Sequence, residues 1–250
     1  MKTYGVIPAR LQSTRLPRKL LLAETGKPLL QYTWEQARQA SSIDDVLIAT
    51  DSDEIASAAR SFGAKCEMTG DHPSGTDRIA EVVRRALPDA ETIVNIQGDE
   101  PEIDPLHIDL LVTILKEHPQ AQMATLATPI RTLHELQQSS CTKVVCTPDG
   151  RALYFSRCPI PFTRDVAPES LLPDKSPWLL HLGIYAYRHD FLLELTTLSP
   201  SRLERWEKLE QLRALEAGAI IQVGVVESHA VGIDTPDDYA QFIERQRILR

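Results

Sequence analysis

The sequence predicts an α/β protein: a mainly parallel open sheet flanked by helices, with a smaller antiparallel, β-rich insertion. Three observations predict it. Short apolar runs alternate with helix-period patterns from the N-terminus to about residue 120, the order that builds parallel sheets with helices on both faces. From there to about residue 188 the pattern turns strand-rich, with a hairpin signal at Pro148-Asp149-Gly150. And 250 residues at 42% hydrophobic suffice for a large core, with no internal repeat and no clear linker. The expectation is one domain over 1–250, with the insertion at roughly 123–188.

The elements follow in order. Tyr4–Pro8 reads as a strand, and Pro28–Ala40 as a helix with Leu29, Leu30, Thr33, Trp34 and Ala37 at three- and four-residue steps. Asp45–Thr50 is the second strand, followed by a helix over Asp53–Phe62 that Gly63 stops. A short strand over Lys65–Met68 precedes a helix over Thr76–Leu87. Thr92–Gln97 is a strand and Asp104–Glu117 a helix, with Pro105 suited to its first turn. Met123–Pro129 and the two arms of Thr142–Ser156 are strands. Arg157–Pro177 is polar and proline-rich and reads as a long loop, a lid candidate. His181–Arg188 is a strand. Leu203–Glu216 reads as one helix with an apolar stripe of Trp206, Leu209, Leu212 and Leu215, closed by Gly218. Ile220–Val226 is the last strand and Pro236–Arg250 the last helix.

Charge narrows the function. The net charge is -8, which argues against a nucleic-acid partner. Yet residues 1–30 hold Lys2, Arg10, Arg15, Arg18, Lys19 and Lys27 against Glu24 alone. A cationic patch on an anionic chain fits a small anion. Cys66, Cys141, Cys146 and Cys158 form no metal-ligand spacing and read as free thiols. No run approaches a membrane span, and the first apolar stretch lacks a signal-peptide shape, so a cytoplasmic protein without a membrane partner is expected.

The cations cluster in IPARLQSTRLPRK, directly after the first strand, where open α/β sheets bind ligands. Arg10 and Arg15 can fork onto phosphate oxygens, Lys19 adds a compact charge, and Ser13 a hydroxyl. The segment has no glycine, so it is neither a Walker A loop nor a dinucleotide fingerprint. Two carboxylates also fall at strand ends: Asp99 in VNIQGDEP and Asp234 in VGIDTPDDY. Together they suit a divalent cation shared with substrate phosphates. Competing with that, Asp-Thr-Pro-Asp-Asp is a helix start with Asp234 or Thr235 as cap, and Asp99-Glu100-Pro101 can be an ordinary turn.

Taken together, IPARLQSTRLPRK, ATDSDEI, SGTDR, VNIQGDEP, KVVCTPDGRALYFSR, HLGIYAYR, EKLEQLR and GIDTPDDY, in this order, resemble the 3-deoxy-D-manno-octulosonate (KDO) cytidylyltransferase family. They span nearly the whole chain. The resemblance implies a nucleotide-diphospho-sugar transferase-like fold and formation of CMP-KDO and pyrophosphate from CTP and KDO for lipopolysaccharide biosynthesis. It also implies Mg²⁺ and a homodimer, with the 123–188 insertion completing the sugar site and the dimer surface. By resemblance, Arg10, Ser13, Arg15 and Lys19 grip the triphosphate. Ser74, Gly75, Thr76 and Asp77 lie near the cytosine and ribose, and Asp99 and Asp234 hold the metal. Gln97, Arg157, His181, Tyr185, Glu210 and Gln211 form the sugar-acid pocket, with Arg157 suited to the KDO carboxylate and the others to hydroxyls. Arg10, Arg15, Lys19, Asp99 and Asp234 carry catalysis, with no covalent nucleophile and no named side-chain base. Three positions depart from the family pattern: Arg18 stands in place of a glycine, Leu180 in place of a basic residue, and Cys141-Thr142 in place of an asparagine-containing stretch. The rival functions are CTP-dependent activation of another sugar acid, such as a sialic acid or an amino-KDO, and a non-catalytic nucleotide-binding protein.

Overall fold

The structure, a computed structural model, describes residues 2–248. It is a mixed α/β protein whose chain divides into two compact units, residues 1–109 with 230–250 and residues 110–229. The second unit is therefore wider than an insertion over 123–188.

In the first unit four strands run parallel, β1 (Thr3–Ala9), β2 (Asp45–Thr50), β3 (Lys65–Met68) and β4 (Thr92–Asn95), in the spatial order β3-β2-β1-β4. The inner strands are apolar almost throughout, as a sheet covered on both faces requires: Val6, Ile7, Ile48, Ala49, Ile93 and Val94 are buried. The helices between them are α1 (Leu29–Ala37), α2 (Asp53–Ser61) and α3 (Gly75–Ala86). Ser52 caps α2 by accepting from the Ile55 N–H, and Ser74 caps α3 by accepting from the Asp77 N–H. Strand β4 ends two residues before the expected Gln97. That leaves Gln97, Gly98 and Asp99 as an irregular exit turn, held where the Thr33 hydroxyl donates to the Gly98 carbonyl and the Ile233 N–H to the Asp99 carbonyl. A Cβ at Gly98 would meet the Ile7 side chain at 3.2 Å, a tight contact that glycine avoids where the turn lies close to β1. Helix α4 (Pro105–Glu117) carries the chain into the second unit.

The second unit holds β5 (Met123–Pro129), with α5 (Leu133–Gln137) after it, then β6 (Lys143–Cys146) and β7 (Ala152–Ser156) as the expected hairpin. Strand β8 (Leu179–Arg188) pairs antiparallel with β5 and β6, and β9 (Ile221–Val225) pairs parallel with β5. Two short helices were not expected: α5, and α6 (His189–Leu195) directly after β8. The capping box at the start of α5, Thr132 with Glu135, was nonetheless written in the sequence.

The single helix expected over Leu203–Glu216 is two: α7 (Arg202–Glu207) and α8 (Gln211–Glu216). Lys208 between them has φ 55°, in the left-handed region. Tertiary hydrogen bonds draw the chain out of the helix here. Glu207 accepts from the Ser156 hydroxyl and the Arg157 N–H, and the Glu207 and Lys208 carbonyls accept from the Arg157 guanidinium. The predicted stripe fails with the helix. Leu209 and Leu212 are buried, but Trp206 is 80% exposed.

The last helix, α9 (Pro236–Ile248), returns to the first unit, where Tyr239 and Phe242 pack with Leu16, Leu29, Tyr32 and Ile233. Residues 249–250 of the helix expected to reach Arg250 lie outside the described residues.

Candidate functional site

The cationic loop is anchored by its apolar residues. Leu16 and Leu20 are buried, Leu16 within the cluster around Tyr239 and Phe242, and a single 3-10 turn follows at Lys19–Leu21. The polar residues between them are left at the surface of a cleft of about 410 Å³. Its lining takes in Arg10, Ser13, Arg15 and Lys19 from the loop, Gly75 from the first turn of α3, Gln97 and Asp99 from the exit of β4, and Asp234. Arg10 and Gln97 follow the carboxyl ends of parallel strands, the position in which open α/β sheets bind ligands.

Arg18 occupies the place where a glycine was expected and adopts glycine's conformation, with φ 55° and ψ 27°. The bend of the loop is thus kept, at the roughly 1 kcal/mol that a residue with a Cβ costs in this region. The guanidinium turns away from the cleft to an ion pair with Glu54.

The polar centre of the cleft is a cluster of four charged side chains. The Lys19 ammonium lies 2.5 Å from Asp99 Oδ2 and 2.8 Å from Asp234 Oδ1, and Arg15 Nη2 lies 2.7 Å from Asp234 Oδ2. Burial opposes the Lys19 charge, but the two carboxylates outweigh it and raise its pKa above the ordinary lysine value. Glu100, next in sequence, is in the opposite state. Burial, and then the charge on Asp99, push its carboxyl up to about 8, so it is protonated at neutral pH.

The two readings of Asp234 are separated by the cap of α9. Thr235 Oγ1 accepts from the Asp238 N–H at 3.2 Å, and Asp238 Oδ2 accepts from the Thr235 N–H at 2.8 Å. The reciprocal pair belongs to Thr235 and Asp238, which leaves the Asp234 carboxylate to Lys19 and Arg15. Asp99 and Asp234 converge on one cation, so the donor set fits a divalent ion that takes its remaining ligands from phosphate oxygens and water. Among the described residues no group of three or more His, Cys, Asp or Glu side chains gathers as a metal site, so these two carboxylates would depend on the substrate for the rest of the shell.

The Ser74–Asp77 segment is the first turn of α3. Ser74 and Asp77 are committed to each other, with Ser74 Oγ donating to Asp77 Oδ2 at 2.7 Å, and Thr76 is buried. What faces a ligand there is Gly75 and the backbone N–H groups that have no intrahelical partner. Beneath it, Arg78 is fully buried, donating to Asp51 Oδ2 at 2.8 Å and Thr69 Oγ1 at 2.5 Å. Burial would raise the Asp51 pKa, but Arg78 outweighs it and holds the carboxyl below its usual value. This pair ties the end of β2 to α3. Sequence reading gave it no role, although both residues lie in the segments ATDSDEI and SGTDR.

Of the expected sugar-acid residues, Gln97 lines the cleft just described, and its amide donates to Asn95 Oδ1 at 3.3 Å. The other five lie in the second unit. His181 and Tyr185 on β8 have ring centroids 5.4 Å apart, and Phe155 of β7 meets His181 edge-on at 4.9 Å. Burial pushes the His181 imidazole down to about 3. Burial, and then the nearby Glu210 carboxylate, raise the Tyr185 phenol, so both groups are neutral at physiological pH. Gln211 is buried and its amide nitrogen has no partner. An unmet buried donor is rare in a folded chain and suits a ligand hydroxyl.

Arg157 is arranged differently from the others. Its guanidinium donates to the carbonyls of Glu207 at 2.6 Å, Ser139 at 2.8 Å and Lys208 at 3.3 Å. In this arrangement it braces the α7–α8 turn rather than presenting an open fork to a carboxylate. Beside it Lys143, fully buried, donates from its ammonium to the carbonyls of Gln138, Cys141 and Arg157 at 2.9, 2.6 and 2.8 Å. Burial lowers its pKa. In the sequence this residue stands only as the lysine opening KVVCTPDGRALYFSR, with no role attached to it.

A family of cytidylyltransferases matches the chain over residues 4–223. A 3-deoxy-manno-octulosonate cytidylyltransferase of Geobacter sulfurreducens is 46% identical, over 98% of this chain and 99% of the relative. That of Solibacter usitatus is 48% identical, over 95% of this chain and 91% of the relative. A solved structure of CMP:2-keto-3-deoxy-manno-octonic acid synthetase complexed with CTP superposes with a TM-score of 0.92. It is 39% identical and covers 100% of both chains.

Proposed function

The chain belongs to the 3-deoxy-manno-octulosonate cytidylyltransferases, and from that premise we propose how its residues divide the reaction. The enzyme transfers the cytidylyl group of CTP to KDO, giving CMP-KDO and pyrophosphate. Relatives of the same name over nearly the full length leave little room for the rival sugar acids or for a non-catalytic protein.

The observation that carries the division is the Lys19–Asp99–Asp234–Arg15 cluster in a cleft at the strand ends. The 2-hydroxyl of KDO attacks the α-phosphorus of CTP, and pyrophosphate leaves. Such a transfer depends on alignment and charge stabilisation rather than on a covalent intermediate. Arg10, Arg15 and Lys19 offset charge moving onto the pyrophosphate, and Ser13 adds a hydroxyl donor. Asp99 and Asp234 would hold Mg²⁺, which when bound would supply charge stabilisation to the phosphate oxygens and lower the pKa of the attacking hydroxyl. The first turn of α3, Ser74 to Asp77, lies against the nucleoside. His181, Tyr185, Glu210 and Gln211 of the second unit take the sugar acid through neutral and acceptor groups, with Arg157 holding their frame, while Gln97 lines the phosphate cleft of the first. The product feeds lipopolysaccharide biosynthesis, in the cytoplasm, and the working form is a homodimer. Among the described residues no helix is long and apolar enough to cross a membrane.

The direct test is pyrophosphate release with CTP fixed and the acceptor varied among KDO, an 8-amino-KDO and a sialic acid, at several Mg²⁺ concentrations. KDO is expected to give the highest kcat/KM, with no turnover after chelation. Faster turnover of a sialic acid would reassign the acceptor. Tight CTP binding without release would favour the non-catalytic alternative.

A further inference from the structure

The hydroxyl of Thr125 sits at a bulge. Thr125 of β5 stands opposite Tyr185, while the next residue, Leu126, stands opposite Leu182, so β8 carries two extra residues, Gly183 and Ile184, at this point. Bulges often aim a side chain or serve a site. Thr125 is fully buried, and its Oγ1 lies 2.8 Å from the Ile184 carbonyl, 3.1 Å from the Leu182 carbonyl and 3.0 Å from Nε2 of His181.

A threonine hydroxyl has one proton to give and lone pairs to accept with. Both carbonyls can only accept, so the hydroxyl proton belongs to them. Were it turned to His181 instead, two carbonyl oxygens would face a bare oxygen within 3.1 Å in a buried site. The third contact is satisfied only if Nε2 carries a proton and donates it. A neutral imidazole then has an unprotonated Nδ1, and the burial that lowers the His181 pKa keeps the ring neutral.

We propose that Thr125 is a positioning residue for the sugar-acid half of the reaction, holding His181 as the Nε2–H tautomer so that Nδ1 is an obligate acceptor for a hydroxyl of the acceptor sugar. The bulge places the Leu182 and Ile184 carbonyls so that they claim the Thr125 proton, and that claim fixes the direction of the next bond. Specificity follows from the direction. An acceptor-only Nδ1 takes a hydroxyl, whereas a sugar with hydrogen or a methyl group at that position leaves the nitrogen unpaired and binds more weakly.

The inference rests on the reading of His181 as a sugar-acid contact, and the experiment separates the two. Nitrogen-15 spectra of ring-labelled histidine give the tautomer directly, with the His181 signals assigned by their loss in His181→Gln. In the wild type, Nε2 is expected to be protonated and Nδ1 not. In Thr125→Val the second tautomer becomes populated, and KM for KDO rises about tenfold, the order of one misdirected hydrogen bond, while KM for CTP stays unchanged. Thr125→Ser, which keeps the hydroxyl, restores both. A merely structural threonine would lower stability in Thr125→Val without moving the tautomer or separating the two KM values, and that result would overturn the inference. So would an Nδ1–H tautomer in the wild type, which needs no variant to fold. If His181→Gln leaves KM for KDO unchanged, the pocket reading itself fails. If His181→Gln raises it while Thr125→Val does not, only the role of Thr125 fails.

Discussion

The two units keep their polar groups usable by opposite means. In the first, Lys19 and Arg15 are held in ion pairs with Asp99 and Asp234, and the two carboxylates hold the Lys19 ammonium above its ordinary pKa. In the second, His181 and Tyr185 stay neutral because burial makes their charged forms costly. On the proposed division of the reaction, a triphosphate and a cation need the first regime, since their charges must be offset by the site. A polyol needs the second, since hydroxyls are told apart by hydrogen-bond direction. Glu100 is the exception within the first unit, a carboxyl that burial keeps protonated one residue from Asp99.

The sharpest way to break the contrast is to remove one charge. Asp99→Asn and Asp234→Asn keep shape and hydrogen bonding but lose the carboxylate. Each is expected to lower kcat by about a hundredfold or more, the usual scale for losing a preorganised electrostatic group, with the circular dichroism spectrum unchanged. Near-normal turnover in either would sink its metal assignment and leave Lys19 without a reason to be held between the two carboxylates.

The pH dependence of stability should separate the units next. His181 has a folded pKa of about 3, below its unfolded value near 6.5. Below pH 6.5 the unfolded chain takes up a proton that the folded one refuses, so stability falls as pH drops toward 3. Glu100 has a folded pKa of about 8, above its unfolded value near 4.3. The folded chain therefore retains a proton that the unfolded one has lost, and stability falls as pH rises from about 4.5 to 8. In urea titrations across pH, His181→Gln should flatten the acid limb and Glu100→Gln the neutral-to-alkaline limb. An unchanged slope for either variant would mean that its group titrates normally in the folded protein.

The smallest effect is expected at Arg18. Arg18→Gly relieves the left-handed backbone but adds glycine's freedom to the unfolded chain, and the two terms are each about 1 kcal/mol. The melting temperature should move by only a few degrees, and KM for CTP should hold. A large rise in that KM would show that the ion pair with Glu54, rather than the bend, is what this position supplies.

Much of this was legible in order along the chain. The parallel strands of the first unit announce themselves by continuous apolar runs, and β5 was bounded to the residue. The cations of the loop and both strand-end carboxylates were visible as well. Misreadings fall where contacts distant in sequence overrule local pattern. The stretch 203–216 has sound helical periodicity, but Arg157 and Ser156 hydrogen-bond its middle and Lys208 turns left-handed. Arg157 looked like a carboxylate receptor because arginine is one by type, whereas its fork is occupied by carbonyls from 139, 207 and 208.

By itself the sequence determined the fold class, the family, and which residue types could hold a phosphate, because these depend on periodicity and composition within short windows. The tertiary structure decided which member of a group does which work. Thr235 and Asp238 make the cap, and so Asp234 is left for Lys19 and Arg15. Thr125, an ordinary strand residue by its neighbours, meets His181 across 56 positions of chain. A hydrogen bond has one donor and one acceptor, and only folding decides which partner arrives first.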